Sequence, residues 1–273
     1  MFSIKGKKMK IDLNDKVVRF LVQEYVNHIC NYCSAEELNF NVHKLIHTFK
    51  VVEMAQQLIK LTKPALTLKL QAQILNAAVL HDLGHCYTFR KGLKLKNIDH
   101  GKIGADLIKK QFPKMKEEMQ STLFHNKCPS SKDPKSVQLI LDYVRDADML
   151  ANIQYNMEHL DIFLMHIYRK KSSGISEVII DDEIVNAAVQ KRPARTSKVK
   201  AYGPLTLFLW QMCWWFNLST ISGKKLSKKN HLFTRFRDMI CQRVVPMTTE
   251  DKKNQKKLIQ KIHQIFPDKI FSD

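Results

Sequence analysis

Ile74-Leu75-Asn76-Ala77-Ala78-Val79-Leu80-His81-Asp82-Leu83-Gly84 is an apolar run that closes on an imidazole and a carboxylate side by side. Two adjacent ionisable groups at the end of a buried helix are costly to desolvate unless they bind something. A metal ion is the simplest candidate, and the chain supplies further donors for one. His47 lies upstream, and His100, His125 and Asp148 lie downstream.

Each donor can be tested against the period of its own helix, in which core positions recur at i, i+3/4 and i+7. His47 is in register with Val51, Met54/Ala55 and Leu58, and His81 with Leu70, Ile74 and Ala77. His100 leads Ile103/Gly104 and Leu107, and His125 follows Met115, Met119 and Thr122/Leu123 before a loop containing Pro129. Asp133 as N-cap and Pro134 at the first helical position predict the start of a further helix. On that helix Val137, Leu141, Val144 and Asp148 form one stripe. Asp146 is two positions away and faces roughly the opposite side, since each residue turns the helix by about 100°. Asp148 is therefore expected to be the buried carboxylate of the two. Any one of these histidines alone also reads as an ordinary packed residue; the set shares one pattern. His28, His43, His159, His166, His231 and His263 have no such company and read as surface or packing residues.

The order H…HD…H…H…D resembles the HD-domain superfamily of metal-dependent phosphohydrolases, over about residues 41–165. His100-Gly101-Lys102-Ile103-Gly104-Ala105 is similar to the family's H-x-x-x-G-A helix start, and Ala147-Asp148-Met149-Leu150 to its Ala-Asp-x-Leu ending. The resemblance implies that His47, His81, Asp82 and Asp148 hold one ion. It implies that Asp82 bridges to a second ion held by His100 and His125. Imidazole with carboxylate suits manganese, iron, cobalt, nickel or zinc, whereas magnesium wants more oxygen. Cysteine is absent from the set, which argues against a structural zinc. Two such ions acidify a bound water and clamp the attacking and leaving oxygens of a phosphate ester. No side-chain nucleophile is then needed, and no G-x-S-x-G elbow, P-loop or G-x-G-x-x-G is present.

Departures from the family narrow the substrate. Many HD enzymes read HD-x-G-Lys, with the lysine facing the substrate phosphate; here His85 stands at that position and is, with Asp82, the expected catalytic residue. Guanosine-tetraphosphate hydrolases carry a Glu-Asp pair soon after HD, where this chain has Cys86-Tyr87-Thr88-Phe89. Nothing between His100 and His125 matches the Gly-Tyr-Pro of the cyclic-dinucleotide enzymes, and Gly203-Pro204 lies too late. Deoxynucleotide triphosphohydrolases are usually longer. Lys50, Arg90 and Lys91 are candidate cations for a phosphorylated substrate. Arg90 and Lys91, with Lys94 and Lys96, read more readily as a solvated basic loop.

Composition bounds the rest. At 273 residues with 44% hydrophobic residues, 8 Gly and 8 Pro, a helical globule is expected, with no strand-like alternation longer than Val178-Ile179-Ile180. The Lys-rich start lacks a following apolar core, so no signal peptide is expected. The run Leu205 to Phe216 is too short to span a bilayer and reads as a buried helix carrying Trp210, Trp214 and Trp215. Six scattered cysteines suit a reducing cytoplasm, and Cys30-x-x-Cys33 reads as two reduced packing thiols. Residues 191–273 carry 18 Lys/Arg against 5 Asp/Glu, while the whole chain has a net charge of +19. Such an excess can footprint nucleic acid, and it also follows from the lysine bias of an AT-rich genome. Lys191–Lys200 and Ser222–Asn230 read as linkers, and Thr249–Phe266 as an amphipathic helix with Leu258, Ile262 and Ile265 inward.

The expectation is an all-α fold: an HD-domain helical bundle, residues 1–190, with a basic, Trp-containing helical C-terminal extension, residues 191–273, packed on it. The expected activity is hydrolysis of a phosphate ester or anhydride, of a nucleotide, in the cytoplasm and with no membrane span. The rival expectation is a non-catalytic HD-fold module that binds nucleic acid or a nucleotide effector. An intact His-Asp pair favours the enzyme.

Overall fold

The apolar run that ends at His81 is a helix in the computed structural model. Thr67 sets its start: the backbone there is extended, and the hydroxyl accepts from the Leu70 amide. This N-cap satisfies one of the amides that a helix start leaves unpaired. The helix is α3, Leu68–Leu80. Two helices precede it, α1 (Lys16–Tyr32) and α2 (Ala35–Leu61). A one-turn helix α4 (His85–Thr88), α5 (His100–Gln111), α6 (Lys116–Phe124) and α7 (Gln138–Glu158) follow. The structure describes residues 16–32, 35–88, 99–125, 135–160, 180–195, 198 and 204–272. No strand occurs among them, and the fold is all-α as the composition predicts.

The chain forms two compact units, Met1–Asp148 and Met149–Asp273. In the first, Leu21 and Tyr25 of α1, Val51, Ala55 and Leu58 of α2, and Ile74, Ala77 and Leu80 of α3 are completely buried with Ile108, Leu141 and Val144. Each such aliphatic side chain contributes roughly 1.5–3 kcal/mol relative to exposure. The expected stripe of α2 is therefore observed.

The stripe of α5 is shifted from the expectation. Gly101, Gly104, Ala105 and Ile108 are its buried residues, and Ile103 and Leu107 are only half-buried. The cause is a backbone approach. A Cβ on Gly84 would lie 2.0 Å from the His100 carbonyl oxygen, and one on Gly104 would lie 2.9 Å from Thr122 Cγ2 and 3.3 Å from the Gly84 amide. Small residues let α5 sit directly on the turn after His81. Asp99 fixes the first turn, its carboxylate accepting from the amides of Gly101 (3.0 Å) and Lys102 (3.3 Å). The expected cap Asp133-Pro134 lies outside the described residues, as do Arg90, Lys91, Lys94, Lys96, His166 and Cys33.

The second unit contains α8 (Asp182–Val189), α9 (Pro204–Met212) running into a 3₁₀ turn (Cys213–Asn217), and α10 (Ile221–Lys229). Then come α11 (Leu232–Met239), a π-helical segment (Ile240–Val244), α12 (Val245–Thr248), α13 (Lys252–Ile265) and α14 (Asp268–Ser272). Trp215 is buried against Phe233 and Phe271, while Trp210 and Trp214 pack edge to face on each other. Ser222–Asn230 is not a linker. Thr220 caps α10 by accepting from the Gly223 amide, and Ser222, Gly223, Leu226 and Ser227 form its buried face. The lysine pairs lie on or beside the other face, where charge marks solvent rather than disorder. Lys191–Arg195 is likewise tied down: Arg192 makes a bidentate pair with Glu183 (2.6 and 3.0 Å), and Ala194 is buried. The C-terminal amphipathic helix is present as α13, capped by Asp251, with Ile262 and Ile265 buried and Leu258 half-buried. No described helix is long and apolar enough to cross a membrane.

Candidate metal centre

The ends of three helices meet around Asp82, together with side chains from within two others. His47 comes from the middle of α2. His81 is the C-cap of α3, His100 the first residue of α5, and His125 the C-cap of α6. Asp148 comes from α7. His81 and His125 use the same local device. Each ring donates its Nδ1–H to the carbonyl three residues earlier, Ala78 (2.8 Å) and Thr122 (2.6 Å). Those carbonyls belong to last helical turns, where no amide is available. The bond fixes each ring as the Nδ1–H tautomer when neutral, so Nε2 carries a lone pair.

The two oxygens of Asp82 face two different groups. Oδ2 lies 3.5 Å from His81 Nε2 and 3.9 Å from His47 Nε2. Asp148 Oδ1 completes that side, 2.9 Å from His47 Nε2 and 3.8 Å from His81 Nε2. Oδ1 of Asp82 lies 3.3 Å from His125 Nε2, 3.6 Å from His100 Nε2 and 3.5 Å from His85 Nε2. His100 Nε2 and His125 Nε2 are themselves 3.2 Å apart. Of the residues predicted from sequence, His47, His81, Asp82, His85, His100, His125 and Asp148 are thus brought together.

The donor set fits a cation. His81 Nε2 is completely buried and has no hydrogen-bond partner, an arrangement that costs free energy unless a Lewis acid uses the lone pair. His47, His81 and Asp148 form one group of ligand-type atoms, and Asp82, His85 and His100 another.

Electrostatics place the donors in ligand-ready states. Burial lowers the pKa of His81 and His85, and brings that of His100 down to about 4, with Asp82 only partly offsetting. Burial alone would raise Asp82, but Lys44, His81 and His85, with the hydrogen bond from His125, hold it well below the usual carboxylate range. Asp148 is treated the same way: burial opposes its charge, yet the hydrogen bond and charge of His47 bring it to about 2. His125 is raised, because the Asp82 hydrogen bond outweighs the burial that would lower it.

The expectation for Asp146 needs correction. It is in neither group of ligand-type atoms, but it is 0% exposed, whereas the side chain of Asp148 is 27% exposed. The segment of α7 through Ile140, Leu141, Tyr143, Val144, Arg145, Asp146 and Ala147 is buried on every side. A residue turned from the site therefore enters the core, not solvent. Lys50 is buried.

Two contacts were not anticipated. Lys44 Nζ lies 3.0 Å from Asp82 Oδ2, and the Tyr25 hydroxyl donates to the Asp82 carbonyl at 3.2 Å. Lys44 was legible, since it sits one turn before His47 on the same face. Tyr25 gave no local signal.

Residues 43–153 match the family model of the HD domain. Over that stretch the chain is similar to the HD domain. HD domains are a superfamily of metal-dependent hydrolases, generally phosphohydrolases, and the match spans every residue of the cluster. No curated protein matches the chain, and no solved structure does.

Proposed function

We propose that the HD domain is a phosphohydrolase that cleaves a phosphate ester or anhydride of a nucleotide, using two divalent ions of the manganese, iron, cobalt, nickel or zinc type. The observation that carries this is the division of Asp82: one oxygen facing His47, His81 and Asp148, the other facing His100 and His125. His47, His81, Asp82 and Asp148 would hold the first ion, and Asp82, His100 and His125 the second. Such ions, when bound, acidify a water and neutralise phosphate charge.

The chain supplies orientation and charge. Ala78 and Thr122 carbonyls aim the rings of His81 and His125, so little reorganisation is left for the reaction. Lys44, whose side chain is part-exposed, presents an ammonium to Asp82 and is proposed as a contact to the substrate phosphate. Lys50, Arg90 and Lys91 are the further proposed contacts. The basic extension, residues 191–273, exposes Lys224, Lys225 and Lys229 on α10 and Lys252, Lys253, Lys256, Lys257 and Lys261 on α13. That surface supports a polyanionic partner such as nucleic acid.

The test is phosphate release by the full chain from a panel of nucleotides in Mn²⁺, with chelator and with His81→Ala as controls. Turnover that disappears in both controls supports the proposal. Stoichiometric metal without turnover on any phosphate ester would leave the HD domain as a binding module.

A further inference from the structure

We infer that His85 is a fourth protein ligand of the second ion, so that Asp82 Oδ1, His85, His100 and His125 form a site of three imidazoles and one carboxylate. The inference rests on the two-ion reading above and changes what His85 does: it becomes part of the metal site rather than a group acting beside it. Where other HD chains place a lysine, an ammonium would repel a cation, whereas an imidazole nitrogen can ligate one.

The distances are those of ligands around one centre. Metal–nitrogen bonds of about 2.1 Å place tetrahedral ligand atoms ~3.4 Å apart and cis octahedral ones ~3.0 Å apart. The Nε2 atoms of His85, His100 and His125 lie 3.5, 3.6 and 3.3 Å from Asp82 Oδ1, and those of His100 and His125 lie 3.2 Å from each other. The His85 and His100 rings are stacked, with centroids 3.8 Å apart and planes at 18°, so both present the same ring atom to the same oxygen. The backbone holds this arrangement. The His85 amide donates to the Asp82 carbonyl at 2.9 Å, and α5 rests on Gly84, the residue before His85. Three imidazoles and one shared carboxylate favour a borderline divalent ion over magnesium. A fuller ligand set also retains the ion more tightly and leaves the substrate phosphate to cations elsewhere, Lys44 among them.

The experiment is equilibrium dialysis of the full chain against Mn²⁺, with elemental analysis, for wild type, His85→Ala, His85→Gln and His100→Ala. Far-UV circular dichroism checks that each variant is folded. Wild type should hold two ions. At metal concentrations that saturate wild type, both His85 variants should hold one, with the second ion bound about 100-fold more weakly. Added imidazole should restore the second ion to His85→Ala. The visible spectrum of Co²⁺-loaded protein should lose the component that is also lost in His100→Ala. If folded His85→Ala or His85→Gln retains two ions at wild-type affinity while His100→Ala loses one, His85 is not a ligand and the two-ion reading survives. If wild type itself holds a single ion, both fall together.

Discussion

Gly84→Ala puts the close approach between the His-Asp turn and α5 to a direct test. The added Cβ would stand 2.0 Å from the His100 carbonyl oxygen and 2.9 Å from the Gly104 amide nitrogen, against an ordinary contact of 3.4 Å or more. Both obstacles are backbone, so no side chain can swing aside. Relief requires the start of α5 to move by ~1.4 Å, which places the substitution at the upper end of overpacking costs, about 3 kcal/mol. For a chain of this size that corresponds to a melting-temperature drop of roughly 6–12 °C. The movement carries His100 with it. Its Nε2 sits 3.6 Å from Asp82 Oδ1 and 3.2 Å from His125 Nε2, so a shift of this size removes it from both. Thermal and urea unfolding measure the stability loss, and Mn²⁺ dialysis measures the consequence at the centre. A Gly84→Ala protein that melts within about 1 °C of wild type and binds metal as wild type does would show that α5 does not rest on this turn.

Three further outcomes are expected. Asp148→Asn should weaken metal binding by at least tenfold with little effect on stability, while Asp146→Asn should cost about 1–3 kcal/mol of stability and leave metal content intact, because a fully buried carboxylate loses its charged interactions there; unfolding curves and elemental analysis of both variants decide it, and the reverse pattern would overturn the placement of the two residues. Lys44→Met should raise KM for a phosphorylated substrate about tenfold, equivalent to ~1.4 kcal/mol of lost binding, with kcat and metal content changed far less; an unaltered KM removes Lys44 from the substrate. In the second unit, hydrogen bonds from Arg192 hold Glu183 down at about 2, below its ordinary 4.5, so this pair stabilises the fold above pH 4.5 and its contribution is lost as pH falls toward 2. Glu183→Gln should therefore cost on the order of 1–2 kcal/mol at pH 7, limited by solvent around Arg192, and almost nothing near pH 2; unfolding followed by the fluorescence of Trp210, Trp214 and Trp215 checks it, and a difference independent of pH would contradict the pair's role.

Which parts of this protein were legible follows from the range of the interactions involved. His47, His81 and Asp148 each share a helix face with core residues, so the helical period alone singles them out. Lys44 lies one turn from His47 and was open to the same logic. Tyr25 was not, since it meets Asp82 from 57 residues away and touches only its backbone carbonyl. The rotation of α5 was hidden for a similar reason, because it is set by a backbone contact to Gly84 that leaves no apolar trace. Asp146 and the Ser222–Asn230 segment were misread because charge was equated with solvent. On α7, buried all round, that equation fails. On α10 the lysines do mark the solvated side, but of a helix whose small buried residues, Ser222, Gly223 and Ser227, look like loop composition.

The helix ends explain why so much ionisable chemistry is tolerated in one core. A helix terminus has carbonyls that no amide reaches, and a buried histidine has a ring nitrogen that needs a partner. His81 and His125 answer both needs at once, through Ala78 and Thr122. What is left over at each ring is Nε2, which faces Asp82. The electrostatics run the same way. Asp82 and Asp148 are held ionised, and His81, His85 and His100 are held neutral, which are the protonation states a cation requires. His125 differs, because its hydrogen bond to Asp82 raises its pKa in spite of burial. An arriving cation therefore has a proton to displace from His125 Nε2. The Lys44 ammonium, 3.0 Å from Oδ2, is the positive charge with which a cation on the other side must share that carboxylate.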